Sequence, residues 1–340
     1  MRASPRKTIR RASILLALAL LAASIPALVQ SGAGATGPAI QATPAVSGVA
    51  DAETIDLCAD EGTIDLPGLA DVPIWGFSLD PGTGCGPATL PGPMLSVDAG
   101  DVVTVNLQNN LDEDVSIVFP GQDLAPNAVV VPAAGSGSYT FTASDPGTFL
   151  YESGTNTSVQ VAMGLYGALV VRPLTAGRAY DDPATEYDVE QVLVLSEIDP
   201  NLNSYPDPND FDFVGDPDVY TDGYHPTYFL INGEAYPDTN PIAAASGDLV
   251  LLRYANAGLS HHTMTLLGQH QRVIAKDAYP SVANAYDAVA ETVPAGSTLD
   301  TIVTLAGFAG GSTLPLYNRQ LNVTNDGAYP GGMLTFLTVS

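Results

Sequence analysis

The chain has 340 residues, of which 46% are hydrophobic and 14% are charged, and it contains 33 Gly and 27 Pro. This length accommodates two domains with separate cores, and frequent Gly and Pro favour short strands joined by turns over long helices. The 37 acidic and 11 basic residues give a formal net charge of −26 at pH 7. Such a surface repels nucleic acid and anionic lipid, so we expect no nucleic-acid partner.

The first 35 residues predict a signal peptide. Basic residues are concentrated before an apolar run at 14–23, and small residues follow as far as Ala35. The run is shorter than the roughly 20 residues that cross a bilayer, so we expect no membrane span in the mature form. We therefore expect a secreted, periplasmic or cell-surface protein. An uncleaved anchor stays open, as does the choice between the general and twin-arginine export routes.

Residues 36–52 are small and contain Pro, which predicts a flexible leader. Beyond them, segments typical of strands follow closely, and none sustains a 3.6-residue period. The predicted strand segments are 101–110, 115–119, 136–143, 147–153, 164–173, 189–198, 226–233, 247–256, 262–268, 272–277, 297–305 and 331–340. We predict an all-β chain of two tandem Greek-key β-sandwiches, 53–175 and 186–340, joined by a linker at 176–185.

The two cysteines, Cys58 and Cys85, predict a disulfide because an even number of cysteines in an exported chain most often forms pairs.

The acidic segment 206–223 suggests a separate hypothesis, a surface that binds calcium or another cation. That segment lacks the ligand spacing of an EF-hand.

Three of the four histidines lie close together in the sequence, at His261, His262 and His270. Neighbouring residues of a strand point to opposite faces, and eight residues of straight strand span about 26 Å. We interpret all three as structural or surface residues, with a loose transition-metal site as the alternative. No nucleophile with an orienting partner accompanies them, so a catalytic base is disfavoured.

Several stretches together resemble the multicopper oxidase family. Residues 91–111 (PGPMLSVDAGDVVTVNLQNNL) resemble the opening of the family's first domain, and 146–173 resemble the end of that domain. Further matches to its second domain lie at 194–203, 228–239, 253–277 and 330–339. The resemblance implies two cupredoxin-type (plastocyanin-like) domains, equivalent to domains 1 and 2 of a three-domain member.

The resemblance also identifies the positions at which family members hold copper. One histidine remains there, His262; the other positions carry Val118, Pro120, Glu152, Gly154, Thr265, Leu267, Asn318, Arg319 and Gln320. Blue copper needs a thiolate and oxygen reduction needs a cluster of histidines. We therefore expect no catalytic residues and no copper or other cofactor.

The resulting hypothesis is a copper-free binding or structural module whose partner is an unknown protein or cell-envelope component, with a homo-oligomer left open. The alternative is a copper-dependent, laccase-like oxidase whose copper site is altered or completed by a partner.

Overall fold

The structure, a computed structural model, describes residues 52–125, 129–215 and 223–340. The predicted signal peptide and nearly all of the predicted leader lie outside these residues. The first eight strands are β1 (Ala52–Leu66), β2 (Leu69–Leu79), β3 (Leu95–Asp98), β4 (Val102–Asn109), β5 (Ile117–Val118), β6 (Ser136–Thr142), β7 (Gly147–Ser153) and β8 (Tyr166–Arg172). A short helix, α1 (Thr157–Met163), lies between β7 and β8.

Twelve more strands follow in the described part of the chain after residue 172. They are β9 (Val189–Ile198), β10 (Tyr228–Ile231), β11 (Ile242–Ala244), β12 (Leu249–Asn256), β13 (His262–Leu266), β14 (Gln271–Lys276), β15 (Tyr279–Pro280), β16 (Tyr286–Ala288), β17 (Ala290–Val293), β18 (Thr298–Thr304), β19 (Thr313–Asn318) and β20 (Leu334–Val339). A single helical turn, α2 (Pro200–Asn203), follows β9, and 3₁₀ turns occupy Pro183–Thr185, Pro208–Asp210 and Val282–Asn284.

The first eight strands form two four-stranded sheets, in the orders β2-β1-β4-β6 and β3-β8-β7-β5. Alternation along β4 explains the layering, because its even-spaced Val103, Val105 and Leu107 are buried and the residues between them are not. These side chains meet Tyr151 of β7 and Phe119, which follows β5, in one hydrophobic core. The two sheets therefore pack face to face as a sandwich through their apolar sides.

The later strands form a second pair of sheets. One has the order β10-β9-β12-β18-β14-β15 with β16 on β14, and the other has the order β11-β20-β19-β13-β17. Their facing sides share a separate core that includes Leu252, Tyr254, Met264 and Leu316. The all-β prediction is confirmed.

A third apolar cluster joins the two sandwiches. Leu150 and Tyr166 of the first sandwich pack with Val194, Leu230 and other buried residues of the second. Apolar area removed from water in this way stabilises the contact by about 25 cal/mol per Å². The two sandwiches therefore share an apolar contact.

Next to this apolar contact lies a buried network of charges. Arg253 of β12 is 0% exposed; its Nε donates to Glu190 Oε1 at 2.7 Å and its Nη1 donates to Asp300 Oδ2 at 3.0 Å. Arg172 of β8 donates to the second oxygen of Glu190 at 2.8 Å. Burial alone would raise the pKa of Glu190, but the two arginines outweigh it and hold that pKa below 4.5. Two cations and two carboxylates balance each other.

Asp300 extends this network to the first sandwich and to the predicted linker. Thr148 Oγ1 of β7 donates to Asp300 Oδ1 and the Tyr180 hydroxyl donates to Oδ2, both at 2.6 Å. Tyr180 lies within the predicted linker 176–185 and is 3% exposed. Part of that segment is thus packed into the protein.

None of the helices in the described part of the chain is long and apolar enough to cross a membrane.

Candidate functional site

His262 begins strand β13 and is completely buried. Its Nε2 lies 3.0 Å from Glu197 Oε2, and its Nδ1 lies 3.0 Å from Asn318 Nδ2. The pairing of β13 with β19 places Asn318 opposite Met264, two residues from His262 along β13, which explains the second contact. Phe229 packs edge-on against the imidazole, with ring centroids 6.3 Å apart. Both ring nitrogens are therefore engaged by protein groups.

The orientation of Asn318 determines which nitrogen of His262 carries the proton. The Asn318 Oδ1 accepts a hydrogen bond from the Gln320 backbone N–H at 2.7 Å, so its amide nitrogen must face the ring. An amide nitrogen only donates, so Nδ1 of His262 must accept. The ring is then the neutral tautomer with its proton on Nε2, and that proton is donated to Glu197.

Glu197 is the other half of this arrangement and is only 3% exposed. Its Oε1 accepts from the backbone N–H groups of Leu259 and Ser260, both at 2.8 Å, and its Oε2 faces His262. Three donors thus solvate a buried carboxylate, as burial of a charge requires. Gly258 makes room for it, since a Cβ there would lie 2.1 Å from Glu197 Oε2.

In the first sandwich, the positions that the resemblance assigned to copper lie at or just after a pair of neighbouring strands. Val118 of β5 is directly opposite Glu152 of β7. Burial raises the pKa of the Glu152 carboxyl. Pro120 is exposed and Gly154 is partly buried. The two strands thus bring a valine and a carboxyl side by side, and neither group is an imidazole.

The remaining positions that the resemblance assigned to copper lie around β13 and β19. Thr265 is buried and its hydroxyl donates to the Val289 carbonyl at 2.6 Å. Leu267 is 51% exposed, and Arg319 and Gln320 are also exposed. Of these positions, the structure brings only Asn318 into hydrogen-bonding contact with the imidazole of His262.

The structure separates the three histidines. His261 is exposed and its Nδ1 accepts from the Ala295 backbone N–H at 3.0 Å, whereas His262 is buried. His270 is exposed in a cleft that Arg272 and Asp287 also line. Among the described residues, the one set of three His, Cys, Asp or Glu donors within 4.8 Å of each other contains no histidine.

The predicted disulfide is confirmed. Cys58 of β1 is bonded to Cys85, and their Cα atoms are 5.8 Å apart. The bond ties β1 to the loop that follows β2.

Comparison with known proteins finds similarity to multicopper oxidases. A family model described as multicopper oxidase matches residues 87–176. Multicopper oxidase MmcO of Mycobacterium tuberculosis is 26% identical over 251 residues, which cover 64% of this chain and 47% of that protein. Copper resistance protein A of Pseudomonas syringae pv. tomato is 34% identical over 116 residues, 32% of this chain and 18% of that protein. The chain is thus similar to multicopper oxidases, and its residues 87–176 match their family model.

Solved structures of multicopper oxidases share its fold. The multicopper oxidase mgLAC superposes with a TM-score of 0.69 at 24% identity, covering 86% of this chain and 87% of that one. The blue copper oxidase of Nitrosomonas europaea gives the same TM-score at 22% identity, with 85% and 86% covered. This chain spans less than half the length of the two curated relatives named above.

The side chains at the positions that the resemblance assigned to copper do not fit a copper ion in this chain. A copper centre of the family's kind needs several nitrogen or sulfur ligands around one ion. Here the single imidazole is occupied on both sides, and its neighbours are an amide, a carboxylate committed to backbone donors, and a phenyl ring. These residues therefore supply no copper-dependent reaction step.

Sequence analysis did not identify Glu197 as part of this arrangement. A signal was present, since the segment VLVLSEI places an acidic residue inside an otherwise apolar strand. A charge buried in this way requires a partner, and the sequence alone did not indicate that His262 is that partner.

Proposed function

We propose that this chain is a copper-free member of the multicopper oxidase family that acts as a binding or structural module outside the cytoplasm. Its partner would be a protein or another component of the cell envelope. One observation carries the proposal: both nitrogens of His262 are used within the protein, by Glu197 and Asn318.

The cost of breaking the hydrogen bonds to His262 supports the copper-free proposal. A metal ion could bind His262 only by displacing Glu197 or Asn318, which would leave a buried polar group without its hydrogen bond. Such a loss costs about 1–3 kcal/mol, and more for a charged group. In return the ion would gain one ligand, whereas a stable site needs three or four with fixed geometry. The protein's own hydrogen bonds therefore outcompete copper at this position.

The test is copper retention by protein whose disulfide is intact. Mature protein would be incubated with Cu²⁺, desalted and assayed for bound copper and for oxidation of a phenol. We expect no stoichiometric copper and no turnover.

A double variant, His261→Ala with His270→Ala, is the matched control because it removes two exposed imidazoles and leaves His262 in place. Copper that disappears in this variant was adventitious. Copper that persists in it at one or more ions per chain, together with phenol oxidation, would overturn the proposal.

A copper-dependent oxidoreductase is the second candidate, and the relatives named as multicopper oxidases favour it. In that case the copper site is altered within the chain or completed by another subunit. Light scattering with copper analysis across a size-exclusion peak separates the two candidates. The second candidate predicts retained copper, in the monomer if the site is altered and in an oligomer alone if a partner completes it, whereas the first predicts no bound copper in either.

Export is also part of the proposal, and the basic head and apolar run of the first 35 residues support it. Amino-terminal sequencing of protein from its own host should begin after the apolar run at 14–23. A chain that retains Met1 would count against cleavage.

A further inference from the structure

A second group of potential metal ligands lies outside the positions that the resemblance assigned to copper. The sulfur atoms of Cys58 and Cys85 and a carboxylate oxygen of Asp80 all lie within 4.8 Å of each other. In the oxidised protein the two sulfurs are bonded to each other and cannot hold a metal. Cys58 is fully buried, whereas Asp80 and Cys85 are partly exposed at the surface.

The turn after β2 holds Asp80 in place and leaves one of its oxygens free. Asp80 Oδ1 accepts from the backbone N–H groups of Gly82 at 2.8 Å and Gly84 at 3.0 Å. Its Oδ2 makes no hydrogen bond to any residue that the structure describes. The Asp80 carboxylate is thus held beside the two sulfurs, and its Oδ2 is available to bind a cation.

The surroundings of Cys85 favour a thiolate paired with a cation. Asn110 Nδ2 donates to Cys85 Sγ at 3.3 Å and to Asp60 Oδ2 at 3.0 Å. A donor on sulfur stabilises the thiolate, because hydrogen bonding to a charged form favours that form. The carboxylates of Asp60 and Asp80 oppose further negative charge, so two thiolates formed here need a bound cation to balance them.

We propose that reduction of the Cys58–Cys85 disulfide creates a site for a thiophilic divalent cation of the zinc class, with Asp80 as the third protein ligand. A dithiol supplies two electrons and two protons; the S–S bond breaks, two thiols form and the dithiol becomes a disulfide. The cation then replaces the two thiol protons, which leave to solvent.

Binding requires the two sulfurs to move apart after reduction. Zinc–sulfur bonds of about 2.3 Å in a tetrahedron place two sulfurs about 3.8 Å apart. The Asp80 carboxylate oxygen already lies within 4.8 Å of both sulfurs, so the third ligand is in place. With three protein ligands, the fourth position belongs to water, as at zinc sites that stay open.

Cobalt(II) is the probe, because a thiolate–cobalt bond adds a charge-transfer absorption in the near ultraviolet. The full chain would be reduced with a dithiol, desalted without oxygen and titrated with Co²⁺. We expect one Co²⁺ per reduced chain, displacement by Zn²⁺, and no such band in oxidised protein. Zinc should also shift the thiol–disulfide equilibrium toward the reduced form by a factor of 1 plus the ratio of zinc concentration to Kd.

Two variants assign the third ligand. Asp80→Asn should weaken Co²⁺ binding at least about tenfold, the low end of the loss caused by removing even an outer-sphere partner. Asp145→Asn, at an exposed position in the loop before β7, should bind as the unaltered chain does. Equal affinities in the two variants would overturn the role of Asp80.

Loss of the fold on reduction must be distinguished from loss of the site. Trp75 is the chain's single tryptophan, lies on β2 and pairs with Glu61 of β1, so its emission reports the strand pair that carries Cys58. Reduced protein with native Trp75 emission and no cobalt band would overturn the proposal. Reduced protein that loses native emission and does not regain it with Zn²⁺ would also overturn it. Neither result bears on copper at His262, because that test uses oxidised protein.

Discussion

Replacing Asp300 with asparagine removes one charge from the buried network between the sandwiches and changes little in shape. Asp300 accepts from Arg253, Thr148 and Tyr180 at 2.6–3.0 Å. In the variant, Arg253 and Arg172 share the single carboxylate of Glu190, so one buried positive charge is uncompensated. Removing one partner of a buried ion pair costs about 3–5 kcal/mol. We expect about 3 kcal/mol, because Glu190 still binds Arg253.

Equilibrium unfolding in urea measures this loss, with Asp145→Asn as the control for removing a carboxylate from an exposed site. A double-mutant cycle with Thr148→Val should give a coupling energy of at least about 0.5 kcal/mol, because Thr148 and Asp300 are in contact. If Asp300→Asn costs no more than Asp145→Asn, the network does not contribute to stability as described.

Three other perturbations test separate features. Glu190→Gln should destabilise the protein at pH 7. The difference in free energy of unfolding between the variant and the unaltered chain should become smaller as pH falls below 4.5. The lowered pKa of Glu190 in the folded state contributes its full stability above the unfolded pKa, and this stability is lost as pH falls through the folded pKa, so acid unfolding of both proteins measures it. Gly258→Ala should cost about 1–3 kcal/mol by overpacking against Glu197, whereas Gly86→Ala, with its nearest contact at 3.4 Å, should be close to neutral in thermal melts. Melting temperature should rise from low to molar NaCl, since salt screens the net charge of −26; a flat or falling profile would contradict this.

The sequence predicted the central strands well, because short apolar runs rich in β-branched and aromatic residues and bounded by turn residues are typical of buried strands. The segment 147–153 and strand β7 coincide, as do 189–198 and β9. The long β1–β2 hairpin was missed, although Pro67-Gly68 marks its turn and Gly68 has a φ of +85°. The alternation breaks in the middle of β1, where the consecutive residues Leu57, Cys58 and Ala59 are all buried.

The site was predicted less completely than the fold. The opposite burial of His261 and His262 followed from strand geometry, and the structure shows it. The link from His262 to Glu197 did not follow, because it joins β13 to β9 across 65 residues of sequence. Local patterns carry no information about such a contact until the sheets are assembled.

The metal content of oxidised protein isolated from its own host tests the central claim most directly. Inductively coupled plasma mass spectrometry of that material should find no stoichiometric copper, because His262 is held between Glu197 and Asn318. One or more copper ions per chain, retained after desalting, would contradict the copper-free account.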